Sequence, residues 1–278
     1  MFPVLIDFGT YQLPLLGEIH LFLPTYGFLY AIGAVLAWLW LARRGRTLGL
    51  PREHLFNVCF YSLLGGLLGA KLLLILVEWK YYFAHPEAIL GTLRSAGVLI
   101  GGIVAGGGVF FLYCRKHRLP TLMLTDAAVA PVALAQAIGR LGCFSAGCCY
   151  GKPAHTHFAL TFTNPVAAAQ TGVPLNIPLV PTQLIEGAAD LLLVLFLAWI
   201  WWKRKAFRLV PGTVLWMYIL LYSCIRFILE FWRGDTVRGL WFHESVSTSQ
   251  ILSLAAIVVA LVLLFRSWNT GKGEIDGR

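Results

Sequence analysis

Residues 21–46 read LFLPTYGFLYAIGAVLAWLWLARRGR, and this stretch decides the class of the fold. No charged side chain falls between Leu21 and Ala42; then Arg43, Arg44 and Arg46 arrive together. About 20 apolar residues suffice for a helix to cross a bilayer. Arginines directly after such a run mark a cytoplasmic end. Working outward, further apolar runs cover Leu55–Val77, Gly97–Cys114, Thr121–Phe144, Gln183–Trp202, Gly212–Trp232 and Ser249–Phe265. The seven runs predict an all-α integral membrane protein with seven transmembrane helices. The third is the weakest, because Gly101, Gly102, Gly106, Gly107 and Gly108 crowd it, although glycine is tolerated where membrane helices pack closely.

Composition agrees. The 278 residues are 58% hydrophobic and 13% charged, against about 45–50% and about 25% in soluble domains. Disorder, a fibrous protein and an ordinary cytosolic enzyme are excluded. The six Cys are too scattered, in too long a chain, for a secreted disulfide framework.

The net charge of +9 is explained by position. Of the 22 Lys and Arg, 14 fall on one side of the alternating spans, at Arg43, Arg44, Arg46, Arg52, Arg115, Lys116, Arg118, Lys203, Arg204, Lys205, Arg208, Arg266, Lys272 and Arg278. The other side holds Lys80, Arg94, Lys152, Arg233 and Arg238. The positive-inside rule therefore predicts an outside, periplasmic N-terminus and a cytoplasmic C-terminus. The excess charge is a topology signal that can also touch anionic lipid, and no nucleic-acid partner is expected. Met1–His20 lacks the basic start of a signal peptide, and its scattered Phe2, Leu5, Phe8, Tyr11 and Leu13 suit the outer interface. Residues 145–182 form the longest loop, read as a small periplasmic cap with a strand near Phe158–Phe162, within one polytopic membrane domain over residues 1–278.

Several charges fall inside the spans: Lys71, Arg140 and Arg226, with Asp126, Glu186, Asp190 and Glu230. A charge at mid-bilayer costs about 2.5–3.5 kcal/mol on insertion scales, so such groups face a partner or a wet cavity. Lys71 can snorkel, and Asp190 can pair with a neighbouring helix. Arg226 and Glu230 are spaced i, i+4 and can pair, with Tyr222 a turn before and Arg233 a turn after. That face is hard to explain as packing alone.

The strongest local signal is residues 139–151, GRLGCFSAGCCYG, with four glycines in thirteen residues. Glycine lets backbone approach a ligand and expose its N–H groups. Arg140 there can fork onto phosphate. Gly139, Gly142, Gly147 and Gly151 with Arg140 thus suggest an anion site at the outer leaflet; the plain alternative is a Gly-rich helix end with a snorkelling arginine. Cys143, Cys148 and Cys149 match neither a Cys-x-x-Cys redox motif nor paired zinc spacing. A disulfide among them, or a metal with the nearby His155 and His157, stays open. Cys59, Cys114 and Cys224 suit apolar packing. No cofactor is predicted.

With these residues in hand, the chain resembles the prolipoprotein diacylglyceryl transferase family of the bacterial inner membrane. The family signature is G-R-x-G-N-F-x-N-G-E-x-x-G, and Gly139, Arg140, Gly142, Phe144, Gly147 and Gly151 match it in spacing. Tyr26-Gly27, Asp126 with Pro131, Pro181-Thr182-Gln183-Leu184 with Glu186, and Tyr222, Arg226, Glu230, Phe231 and Arg233 are similar to further family stretches, as is Ser249-Gln250-Ile251-Leu252-Ser253. The similarity covers nearly the whole chain. The departures lie inside the signature: its two Asn are Cys143 and Ala146, and its Glu is Cys148. Ile100 stands where the family has His or Tyr before Gly-Gly, and Val180 where it has His before Pro181, so a base at the Ile100 position cannot be carried over.

The resemblance implies transfer of a diacylglyceryl group from phosphatidylglycerol to the lipobox Cys thiol in the signal peptide of a prolipoprotein. A thioether forms and glycerol phosphate leaves. The nucleophile belongs to the substrate, so the enzyme must hold a lipid head, neutralise phosphate and help deprotonate a thiol of pKa about 8.5. Arg140 and Arg226 suit the phosphate, Glu230 would orient Arg226, and Arg233 would screen the head group or orient Glu230. Tyr26 and Tyr222 suit head-group hydrogen bonds, or one of them suits a catalytic proton relay. Gln183, Glu186 and Asp126, together with the glycines, complete the implied substrate site. Competing readings are a paralogue with another donor or acceptor, an anion transporter, and a membrane thiol-redox protein.

Overall fold

The computed structural model describes residues 2–13, 17–86, 88–92, 97–154, 156–235, 239–241 and 246–276. Arg94, His155, Arg238 and Arg278 lie outside the described residues. In chain order the elements are β1 (Val4–Leu13), β2 (Gly17–Pro24), α1 (Thr25–Arg46), α2 (Arg52–Val77), α3 (Trp79–Ala84), α4 (Ala88–Gly91), α5 (Leu99–Lys116) and α6 (Thr121–Ala146). Then follow β3 (Leu160–Thr161), α7 (Pro165–Thr171), β4 (Pro178–Leu179), α8 (Thr182–Lys203), α9 (Thr213–Leu229) with a 3-10 turn (Glu230–Trp232), β5 (Leu240–Trp241), β6 (Val246–Ser247) and α10 (Thr248–Asp276). Among the described residues, seven helices are long and apolar enough to cross a membrane: α1, α2, α5, α6, α8, α9 with its 3-10 turn, and α10. Each overlaps one of the seven runs read from hydropathy. The chain is a multi-pass membrane protein.

The chain divides into two compact units, Met1–Ala37 with Thr125–Arg278, and Trp38–Leu124. In the first, one boundary differs from the sequence reading. The run that begins at Leu21 is not helical until Thr25, because Leu21, Phe22 and Leu23 pair with Gly9, Asp7 and Ile6 in an antiparallel β1–β2 hairpin. Pro24 closes the strand, and the Thr25 N–H donates to the Pro3 carbonyl at 3.1 Å. Leu5, Ile6, Phe8 and Tyr11 of the hairpin are exposed.

In this unit α1 lies against α6 along a seam of small residues. A Cβ on Gly33 would sit 3.0 Å from the Ala135 carbonyl oxygen, and one on Gly142 would sit 3.2–3.3 Å from Tyr26 atoms. Without side chains at these points the two backbones come close. Asp126, near the start of α6, takes the Gly212 N–H at 2.6 Å and the Leu215 N–H at 2.8 Å. It thereby satisfies the orphan amides that open α9, where Gly212 has φ +97°. The described residues between α6 and α8 hold a small core of their own, Tyr150, Phe162, Ala167, Val173 and Leu179. Asn164 caps α7 through the Val166 N–H, and Gly172 ends it in the left-handed conformation. The strand expected near Phe158–Phe162 is present as Leu160–Thr161, paired with β4.

In the second unit α2 packs on α5 through glycines. A Cβ on Gly69 would lie 2.6 Å from the Gly101 carbonyl oxygen, and one on Gly106 would lie 2.9 Å from that of Ser62. The glycines that weaken the third span as a sequence signal are the ones that admit α2. This is small-residue packing, the device that lets membrane helices gain van der Waals contact. Lys71 donates to the Thr92 carbonyl at 2.5 Å, an alternative to snorkelling. Ile100, on α5, is 46% exposed.

Candidate active site

Three helices of the first unit present polar residues one turn apart: Gln136 and Arg140 on α6, Glu186 and Asp190 on α8, and Tyr218, Tyr222 and Arg226 on α9. An i, i+4 spacing stacks two side chains on one helix face, so the pairs meet in two layers. In the upper layer Arg140 Nη2 lies 2.7 Å from Glu186 Oε1, and Arg226 Nη1 lies 3.1 Å from Glu186 Oε2. Arg226 Nη2 also donates to Glu230 Oε2 at 3.2 Å and to Ser249 Oγ at 3.1 Å. The lower layer is neutral hydrogen bonding around a carboxylate. Gln136 Nε2 donates to Asp190 at 3.2–3.3 Å, and Tyr218 Oη donates to Gln136 Oε1 at 2.8 Å. Tyr218 stacks on Tyr222 with centroids 5.8 Å apart.

Glu186 is the hub. Its side chain is 1% exposed, whereas Arg140 and Arg226 keep 16% and 13%. A buried carboxylate between two guanidiniums is held by charge-assisted hydrogen bonds, and removing it leaves two cations uncompensated. Arg226 is committed to Glu186, Glu230 and Ser249. Among the described residues Arg140 makes its ion pair through one nitrogen of its fork, so it has donors left for an incoming anion. Gly187 lets α8 approach here, since a Cβ on it would lie 3.4 Å from Arg140 Cβ. Ser249 is placed by a capping box at the start of α10: the Gln250 N–H donates to Ser247 Oγ at 3.2 Å, and the Ser247 N–H donates to Gln250 Oε1 at 3.0 Å.

The tract after Arg140 turns out of α6 at Gly147, with φ +81°. The Gly147 and Cys148 N–H groups return to the Cys143 carbonyl at 2.9 and 3.1 Å. Gly151 then bridges to Arg233, with its N–H on the Val180 carbonyl at 3.1 Å. A Cβ on Gly151 would strike that carbonyl and come within 3.0 Å of the Trp232 carbonyl oxygen. The expectation that these glycines expose amides to a ligand is therefore corrected. The amides of Gly147 and Gly151 are used internally, Gly139 and Gly142 lie inside α6, and the tract's glycines serve packing and turning. Gln183 belongs to the same support, donating to the Cys148 carbonyl at 2.8 Å beside Thr182, which donates to the Cys149 carbonyl at 2.7 Å.

Tyr26 opens α1 over Gly142 and stacks on Tyr30 at 6.2 Å. Arg233 is 8% exposed and clasps Asp235 with Nε to Oδ1 at 2.8 Å and Nη2 to Oδ2 at 2.5 Å. Its side-chain hydrogen bonds to Asp235 fix the guanidinium, and its backbone N–H donates to the Glu230 carbonyl at 3.2 Å. Burial opposes the charge on Arg233, but the Asp235 hydrogen bonds and carboxylate hold its pKa above the ordinary value. Asp126 does not join the group: fourteen residues along α6 from Arg140, it is about 21 Å away along the helix axis and occupied by the α9 amides. Sequence reasoning paired Arg226 with Glu230 and missed the sharing of Glu186, the Asp235 clasp and the Ser249 contact. The in-span charge inventory held the signal, since Glu186 had no partner of its own there.

Three of the membrane-spanning helices thus meet at a buried Arg140–Glu186–Arg226 cluster. Residues 14–266 match the family described as prolipoprotein diacylglyceryl transferase. A phosphatidylglycerol–prolipoprotein diacylglyceryl transferase of Clostridium tetani is 39% identical over 236 residues, covering 85% of this chain and 90% of the relative. A protein of Clostridium perfringens with that name and the number 2 is 34% identical over 260 residues, covering 93% and 97%. One of Chloroflexus aggregans is 30% identical over 280 residues, covering 95% and 89%. The chain belongs to the prolipoprotein diacylglyceryl transferase family.

Proposed function

We propose that this protein transfers the diacylglyceryl group of phosphatidylglycerol to the lipobox cysteine of prolipoproteins, the first step of lipoprotein lipidation. The observation that carries the reading is the Arg140–Glu186–Arg226 cluster, held by three membrane-spanning helices of a chain in this family. The substrate thiolate attacks the glyceryl carbon that bears the phosphate. A carbon–sulfur bond forms, the carbon–oxygen bond to phosphate breaks, and glycerol phosphate departs with the electron pair. The thiol proton passes to water or to the phosphate product.

Negative charge on the phosphate must be met where it shifts on bond cleavage. Arg140, with donors in reserve, contacts it directly; Arg226 adds field and holds Glu186, which aims both guanidiniums. Glu230 positions Arg226. Tyr26 and Tyr222 hydrogen-bond the head group, and Arg233, clasped to Asp235, closes the edge of the site together with Gly151. Gln183, Gly139, Gly142 and Gly147 shape the frame around the lipid. The distribution of basic residues supports an N-terminus outside and a C-terminus inside, which puts the cluster on the periplasmic side of the inner membrane. Residues 1–278 act as one membrane domain with residues 145–182 as its cap.

The test is purified protein with phosphatidylglycerol and a lipobox peptide, read by mass spectrometry. A peptide gaining a diacylglyceryl thioether supports the reading. Transfer from another phospholipid only would mark a paralogue with a different donor.

A further inference from the structure

Three thiols converge beside the arginine cluster, and the transfer reaction uses none of them. The Sγ atoms of Cys143, Cys148 and Cys149 all lie within 4.8 Å of one another. Cys143 is buried and the other two are half-buried. Cys143 comes from the last turns of α6, while Cys148 and Cys149 come from the chain that folds back over it. The fold-back is held from α8: Gln183 Nε2 grips the Cys148 carbonyl and Thr182 Oγ1 grips that of Cys149. Cys149 has φ +60°, a left-handed backbone that a side chain other than glycine's rarely adopts. Such a conformation persists where its surroundings over-determine it, and it is often tied to function. Here it comes with a thiol turned toward the other two.

We propose that Cys143, Cys148 and Cys149 form a three-thiolate site for a soft, thiophilic d10 metal ion such as Zn(II), Cd(II) or Cu(I). Around one ion with metal–sulfur bonds of about 2.3 Å, three sulfurs stand about 3.8–4.0 Å apart. The three thiols therefore need to close by less than about 1 Å. Thiolate donors select soft ions over Mg(II) and Ca(II). A divalent ion with three thiolates carries one net negative charge, and Arg140 and Arg233 both act electrostatically on Cys149. An open fourth position remains for water. A disulfide would pair two of the sulfurs and strand the third.

The full-length protein, purified reduced and metal-free in detergent, is titrated with Cd(II) while the thiolate-to-metal charge-transfer band is followed. One Cd(II) per chain is expected, and Cd(II) should displace Zn(II) loaded beforehand, since thiolates favour the softer ion. Cys59→Ser/Cys114→Ser/Cys224→Ser should bind as wild type. Replacing any one of Cys143, Cys148 and Cys149 by Ser should weaken binding by about a hundredfold or more, beyond what loss of an outer-shell partner costs. A readout free of variants guards against misfolding: bound Cd(II) should protect the wild-type Cys148 and Cys149 from alkylation in peptide mass spectra. Absence of the band, a band unchanged when all three are Ser, alkylation unaffected by Cd(II), or a disulfide within the trio in anaerobically purified protein would each overturn the site.

Discussion

Glu186 Oε1 lies 2.7 Å from Arg140 Nη2, and the same carboxylate takes Arg226 at 3.1 Å, so one buried acid aligns two arginines from two other helices. Each guanidinium is fixed by a charge it shares. The stability of the helix trio and the posture of the anion site thus rest on one side chain. Glu186→Ala is expected to abolish transfer and to destabilise the protein by about 3–5 kcal/mol, as breaking a buried ion pair from one side does. Thermal melting in detergent and the peptide assay check the two effects together.

Arg140→Lys keeps a cation beside Glu186 but loses the planar fork. Its melting temperature should stay close to wild type, while turnover falls about 100- to 1,000-fold, the range for removing one transition-state donor. An equal fall in both would place Arg140 in the scaffold instead.

Asp126→Ala is a contrasting case. The residue accepts the Gly212 and Leu215 N–H groups and stands away from the cluster. A loss of about 0.5–2 kcal/mol in stability is expected, the usual cost of removing a cap. Transfer per folded molecule should be retained. Activity lost with folding intact would return Asp126 to the substrate site.

The seven spans were legible because hydrophobic length is a direct consequence of bilayer thickness. The β1–β2 hairpin was not. Phe8, Tyr11, Leu21 and Phe22 are apolar in either setting, and only the pairing with Gly9, Asp7 and Ile6 removes Leu21–Leu23 from the helix. The third span's glycines looked like weakness because their value appears only when α2 arrives against them. Arg140, Glu186, Arg226 and Glu230 could be named from sequence, since an acid or an arginine within a span stands out. Their partners could not, because residues 140, 186 and 226 meet through helix packing that no local pattern encodes. Asp235 and Ser249 escaped for the same reason: each is an ordinary polar residue until Arg233 or Arg226 reaches it.

Gly151→Ala probes the frame. The added Cβ would run into the Val180 carbonyl, so the strand-like bridge to Arg233 must shift. Overpacking of this kind costs about 1–3 kcal/mol. Faster hydrogen exchange at the Gly151 and Val180 amides, together with reduced transfer, is the expected signature.

The most direct test of the central claim is the rate at which purified wild-type protein and Arg140→Ala move the diacylglyceryl group of phosphatidylglycerol onto a lipobox peptide. The account predicts a thioether-modified peptide from the wild type and essentially none from a folded Arg140→Ala variant. Transfer at the wild-type rate by Arg140→Ala would contradict it.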